Sequence, residues 1–304
     1  MLPRVPSWWR SAIAALGLSM LASAAAVAAA EADVHKTFAR STAVVAYNPP
    51  GLSPSNASGL LPAGDVEHHL RLLRGAGFDG LVTYSAMGVV GSAPEQARRQ
   101  GFTGMVVMGI WDPSSAEELR NALAQRAFVD GYCVGNEGLG VRYDVPQLQQ
   151  RMTELRRLTG RPVTTSEPIQ HYFKGRYREW LRNHSDWLFP IAHPYWADQV
   201  NPTSAVDWVM AQHDLLVAAS GRPVMLKEAG VPTAGMVGYS ERAQVDFFAL
   251  IRRSRLAFVY FEAFDQPWKG YARRQEAEAH WGLFRADGTP KAAAASLRPG
   301  AATR

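Results

Sequence analysis

The feature that most constrains the fold of this chain is a counted alternation. Eight short β-rich runs recur along it: TAVVAYN (42–48), LVTYS (81–85), GMVVMGIW (104–111), VDGYCVGNE (129–137), PVTTSEP (162–168), DWLFPIAHPYW (186–196), PVMLKEAG (223–230) and AFVYFEAFDQPW (257–268). Between them lie amphipathic stretches such as DVEHHLRLLRGAG, SSAEELRNALAQRAF, DVPQLQQRMTELRRLTG and SAVDWVMAQHDLLVAASG. In the stretch from Asp144 to Thr159, apolar Val145, Leu148, Met152, Leu155 and Leu158 recur at helical spacing. Asp65, Ser114, Asp144 and Ser240 are placed as N-caps, and Gly77, Gly101, Gly160 and Gly221 as helix ends. Eight strand–helix pairs in about 260 residues match the closed parallel (β/α)8 barrel, the TIM barrel, as a single α/β domain. An open doubly wound sheet would need a glycine-rich nucleotide loop after the first strand, and NPPGLSPSN lacks that spacing.

Composition narrows the classes further. Of 304 residues, 47% are apolar and 19% charged, enough for a large core. The net charge of +5 is a mild excess with no dense basic run, so no nucleic-acid partner is expected. Arg4 and Arg10 precede an apolar, alanine-rich run from Ser11 to Ala30, with small residues at Ala26 and Ala28. That layout is a signal peptide over residues 1–30, with cleavage expected after Ala28 or Ala30 and a secreted or periplasmic domain over 31–304. An uncleaved amino-terminal anchor is the alternative. No second run of that length exists, so no other membrane span is expected, and the domain is expected to be a monomer. Cys133 is the only cysteine, which excludes an internal disulfide, and it reads as a small core residue. Asn56-Ala57-Ser58 matches a glycosylation sequon.

In such a barrel the chemistry sits at the carboxyl ends of the strands. Those ends carry Asn136-Glu137 on the fourth, Ser166-Glu167 on the fifth, and His193-Pro194-Tyr195-Trp196 on the sixth. They continue with Lys227-Glu228 on the seventh, Asp265-Gln266-Pro267-Trp268-Lys269 on the eighth, and Trp111 on the third. No histidine–acid spacing of the metalloprotease kind is present, so neither a metal nor a cofactor is expected. Paired carboxylates among tryptophans suit glycosidic-bond hydrolysis: one protonates the leaving oxygen, the other attacks the anomeric carbon or activates water.

The blocks GYCVGNE, HPYW, KEAGVP and FEAFDQPWK followed by EAHWGLF resemble, in order, those of glycoside hydrolase family 17. The resemblance runs from about Tyr84 to Phe284 and implies a retaining β-glucan hydrolase, with β-1,3 linkages as the expected substrate. By this resemblance Glu137 is the general acid/base and Glu228 the nucleophile, although the family more often has Trp where Val231 stands. Asn136 would bond the sugar 2-hydroxyl, and Tyr195 would orient the nucleophile with His193 beside it. Tyr84, Trp111, Trp196 and Trp268 would line subsites. Lys269 and Glu278 match a polar cluster in which the family usually has Glu at the position of Gln266; its loss is expected to leave Lys269 less neutralised. Glu167 is a third carboxylate, read as ligand-binding or structural and as a substitute for Glu137. Lys227 is expected to point away from Glu228, because side chains alternate along a strand. Two other readings stand beside hydrolysis: a transglycosylase using the same glutamates, and a non-catalytic glucan-binding barrel.

Overall fold

The computed structural model describes residues 28–52, 63–273 and 275–297. The apolar stretch before residue 28 and the Asn56 sequon lie outside them. The chain opens with helix α1 (28–39) and then alternates. Its strands are β1 Val44–Tyr47, β2 Gly80–Thr83, β3 Val106–Ile110, β4 Gly131–Val134, β5 Val163–Thr164, β6 Met225–Ala229 and β7 Ala257–Tyr260. The principal helices between them are α2 Ala63–Gly75, α3 Ala93–Arg99, α4 Ala116–Ala124, α5 Val145–Thr159, α6 Arg178–Asn183, α7 Pro202–Ser220 and α8 Glu241–Ile251. Two short helices, α9 Pro267–Arg273 and α10 Ala292–Ser296, follow β7.

All pairings in the sheet are parallel, in the order β5-β4-β3-β2-β1-β7-β6. The gap between β5 and β6 is filled by the sixth run of the sequence, which is extended but forms no regular strand. Isolated parallel bridges join Ile191 to Pro168 on one side, and Leu188 to Val224 and Ile191 to Glu228 on the other. Pro190 explains the irregularity. It has no N–H for the ladder, so only its carbonyl is used, accepting from Lys227 N. This segment closes the ring, so the expected barrel is present with seven regular strands and one broken one.

Alternation along the strands sorts two cores. Val45 and Tyr47 face the helices, whereas Val44 and Ala46 face the barrel interior with Val82, Val107, Cys133, Trp187, Phe189 and Met225. Trp187 fills the lower barrel so tightly that a Cβ at Gly131 would lie 2.9 Å from its ring. Helix α1 closes the base: Val34 is buried in the interior cluster, and Glu31 pairs with Arg222 at 2.9 Å. Cys133 is buried here, as its apolar context suggests, and burial pushes its thiol up to about 11.

Helix ends follow local chemistry. Asp144 forms a capping box with Gln147, and Ser240 caps α8. Gly160 and Gly221 adopt the left-handed cap at φ 65° and 66°. Two expected caps are displaced. Ser115, not Ser114, caps α4, because Ser114 is bound to the Asp112 side chain. Asp65 lies within the first turn of α2.

Candidate active site

A cleft of about 620 Å³ opens at the carboxyl end of the barrel. Its walls include Tyr84, Trp111, Asn136, Glu137, His193, Trp196, Glu228, Trp268, Lys269 and Glu278, all named from the sequence. Asn48, Phe261, Glu262 and Trp281 complete it. Glu167, Tyr195 and Gln266 do not line it.

Glu137 follows β4 on a turn built around Tyr143. A Cβ at Gly135 would meet the Tyr143 hydroxyl at 2.3 Å, and one at Gly138 would meet its ring at 2.5 Å, so glycines flank the Asn136–Glu137 pair. Glu137 itself has φ 49°, a left-handed conformation that costs a non-glycine residue of order 1–3 kcal/mol. Its amide donates to Ser166 O at 3.0 Å, and its side chain is exposed at the mouth. Glu167 holds the far side of this turn, accepting from the Gly138 and Leu139 amides at 3.0 and 2.9 Å. His171 Nδ1 lies 3.5 Å from its other oxygen. Burial raises its pKa against those donors. Of the two roles expected of Glu167, the structural one fits: it is buried behind the cleft, with one oxygen holding the turn and the other facing His171, so it neither contacts the cleft nor stands where it could replace Glu137.

Glu228 sits where β6 departs from regular geometry. Leu226 pairs with Phe258 and Ala229 with Tyr260, so three steps on β6 oppose two on β7. One extra residue of this kind is a bulge, which re-aims side chains. Lys227 shares the interior face with Met225 by alternation, and the bulge brings Glu228 to that face as well, so Lys227 lies beside Glu228 instead of pointing away as expected. Its Nζ donates to Asn136 Oδ1, lies 3.7 Å from Glu228 Oε1 and stands 4.4 Å from the Tyr84 ring centroid.

The Glu228 carboxylate is held at both oxygens. Tyr84 donates its hydroxyl to Oε1 at 2.8 Å, and His193 Nε2 lies 3.0 Å from Oε2. Burial alone would raise its pKa, but the His193 hydrogen bond, the Lys227 charge and the Tyr84 hydroxyl overcome that and hold it at about 2. The orienting tyrosine is thus Tyr84. Tyr195 instead packs edge-on against Trp196 and Trp281, with ring centroids 4.8 and 5.5 Å away, behind the cleft wall. Trp196 is half exposed at the rim, with an open face.

On the opposite wall Lys269 Nζ donates to Glu262 Oε1 at 2.6 Å. Lys269 is therefore neutralised, contrary to the expectation drawn from Gln266. Gln266 is fully buried and structural: its amide nitrogen donates to Asn48 O, and its oxygen accepts from Trp268 Nε1, both at 2.9 Å. Bridging an acceptor and a donor suits an amide better than a carboxylate, which only accepts when ionised. Glu262 was not singled out from the sequence. Burial, with Glu228 and Glu278 nearby, outweighs Lys269 and raises its pKa to about 7. The signal was there: FVYFEAF places a lone carboxylate inside an apolar strand run.

Beyond Trp111 lies a second hollow of about 770 Å³, bordered by Met87, Ser115, Arg142 and Tyr143. The Arg142 guanidinium lies 3.8 Å over the Trp111 ring and donates to the Trp111 carbonyl. Among the described residues no cluster of His, Cys, Asp and Glu could hold a metal ion, and no helix is long and apolar enough to cross a membrane.

Known proteins resemble this chain in sequence and in fold. A glucan 1,3-beta-glucosidase of Arthroderma benhamiae is 25% identical over 224 residues, covering 64% of this chain and 72% of that protein. The glycoside hydrolase family 17 beta-1,3-glucanosyltransferase of Rhizomucor miehei superposes with a TM-score of 0.65 at 22% identity, over 82% of this chain and 95% of that one. An endo-laminarinase from Formosa gives 0.68 at 18% identity, over 83% and 85%. These two structures share the fold. Residues 45–282 match the family described as the BtgE/BtgC glycoside hydrolase domain. With four motif blocks in family order and the match spanning most of the chain, this protein belongs to that glycoside hydrolase family, of the family 17 type.

Proposed function

We propose that the protein cleaves β-1,3-linked glucan with retention, Glu228 acting as nucleophile and Glu137 as general acid/base. The observation that carries this reading is Glu228, a buried carboxylate kept ionised between Tyr84, His193 and Lys227 in a cleft that Glu137 also lines. In the first step a Glu228 oxygen attacks the anomeric carbon as the glycosidic bond breaks. The proton of Glu137 goes to the leaving oxygen. In the second step Glu137 takes a proton from water, whose oxygen attacks the anomeric carbon and releases Glu228. Retention needs the carboxyl groups roughly 5 Å apart at the moment of reaction. Asn136, its carbonyl oxygen held by Lys227, is left with its amide N–H groups to donate to a sugar hydroxyl. Trp111, Trp196 and Trp268 offer ring faces to sugars. The glucan named for the fungal relative supports β-1,3 linkage as the substrate class.

Transfer to a sugar hydroxyl in place of water is the second reading. The hollow beyond Trp111 favours it, because it adjoins the cleft through a shared wall and offers room for an acceptor. Export is proposed from the Arg4–Ala30 pattern; the mass of the mature protein should correspond to a chain starting at Ala29 or Glu31, and retention of residues 1–28 would contradict cleavage.

Azide rescue tests the two roles. Glu137→Ala and Glu228→Ala should each lose at least about a thousandfold in kcat. Azide should then restore turnover, giving β-glycosyl azide from the first variant and α-glycosyl azide from the second. The reverse pattern would exchange the roles, and unchanged activity in either variant would remove that residue from the chemistry.

A further inference from the structure

Glu262 occupies the cleft wall with Glu228 and Glu278, and the hydrolysis just described assigns it nothing. It is 1% exposed. One oxygen, Oε1, accepts from Lys269. The other, Oε2, is buried without a hydrogen-bond partner. Leaving such an oxygen unpaired is costly, and in a native site it calls for a specific explanation. The fold gives no reason to keep it. Lys269 needs only one oxygen, and the backbone beside Glu262 is already bonded, with its amide donating to Trp281 O and its carbonyl accepting from Leu283 N.

The neighbours say what chemistry is missing. Trp281 Nε1, on the adjoining strand of wall, is a buried donor that also lacks a partner. An unpaired acceptor and an unpaired donor on residues lining one cleft match a group that gives one hydrogen bond and takes another, which is a hydroxyl. An anionic substituent would meet Glu228, Glu262 and Glu278; a cationic one would meet Lys227 and Lys269. A neutral sugar hydroxyl fits both conditions.

We infer that Glu262 is a specificity-determining residue, whose Oε2 accepts a hydrogen bond from one free hydroxyl of the sugar at the bond being cleaved. The inference rests on the glucan-cleaving reading of the site. It adds that a donor sugar branched, esterified or deoxygenated at that hydroxyl is rejected. Lys269 keeps the carboxylate aimed, and Gln266, being neutral, leaves that task to Glu262 alone.

A substrate-and-protein cycle tests it. At pH 8, where Glu262 is ionised, aryl β-laminaribiosides lacking the 2-, 4- or 6-hydroxyl on the glucose next to the aryl group are compared with the parent glycoside in wild type, Glu262→Ala and Glu262→Gln. At one position deoxygenation should cost wild type about 10- to 100-fold in kcat/KM, the range for a charge-assisted hydrogen bond. That cost should fall below about threefold in Glu262→Ala and be partly kept in Glu262→Gln, while the other two costs stay unchanged. Equal costs in all three proteins at every position would overturn the inference. If wild type turns over none of these glycosides, the glucan-cleaving reading fails instead. The same cycle is then read as Kd by titration calorimetry: a deoxy penalty abolished by Glu262→Ala upholds Glu262, and absence of any such penalty removes it. Should Glu262→Ala not fold, Glu262→Gln carries the same comparison.

Discussion

Glu228 and Glu262 share one cleft yet ionise in opposite directions, and single contacts decide which way each goes. Both are buried, which raises a carboxyl pKa; Glu228 has two hydrogen-bond donors and a lysine against that, whereas Glu262 has one lysine and two carboxylates nearby. The consequences for stability are opposite in sign. Glu228, at about 2 against 4.5 when unfolded, contributes stability that is present above pH 4.5 and lost as pH falls from 4.5 through 2. Glu262, at about 7, binds its proton more tightly when folded, so its contribution is present below pH 4.5 and lost as pH rises from 4.5 through 7. Tyr84→Phe removes one donor from Glu228. Its kcat/KM should fall about 10- to 100-fold, and the acid limb of its pH profile should move upward as the Glu228 pKa rises. Steady-state kinetics from pH 3 to 8 check both, and an unmoved acid limb would deny Tyr84 this role.

At the scale of elements, the site depends on two departures from regular structure, the bulge in β6 and the left-handed turn after β4. Glu167 supports the turn by accepting from the Gly138 and Leu139 amides. Glu167→Ala leaves those amides unpaired and should cost roughly 2–4 kcal/mol in denaturant unfolding. Because the turn carries Glu137, this variant should lose more activity on unactivated laminari-oligosaccharides, whose leaving oxygen needs a proton, than on aryl glycosides with acidic leaving groups. Equal losses on both would show that Glu167 does not act through Glu137.

These same elements explain what the sequence made legible. Strand and helix periods are local, so eight runs and the ends carrying Glu137 and Glu228 could be counted. A bulge is set by pairing with another strand, so alternation along PVMLKEAG wrongly put Lys227 and Glu228 on opposite faces. Tyr84 and Tyr195 each end a strand with a phenol, and only the closed ring decides which one reaches Glu228. Gln266 looked like a lost charge because its bonds to Asn48 and Trp268 come from distant and adjacent chain alike. Glu262 was visible only as a misplaced charge among apolar residues.

For the whole molecule, barrel closure brings these parts together. Residues from β2, β4, β6 and the segment after β7 meet only because the Pro190-broken run joins β5 to β6, and α1 closes the base below Trp187. In the proposed mechanism this convergence performs two displacements at one anomeric carbon, with a glycosyl–Glu228 intermediate between them. Proton NMR of the first turnovers on laminari-oligosaccharides reads that directly, before the released sugars mutarotate. With retention, the new reducing end appears first as the β-anomer and drifts toward the equilibrium mixture. Initial appearance of the α-anomer would mean a single displacement by water and would contradict the assignment of Glu228 as nucleophile.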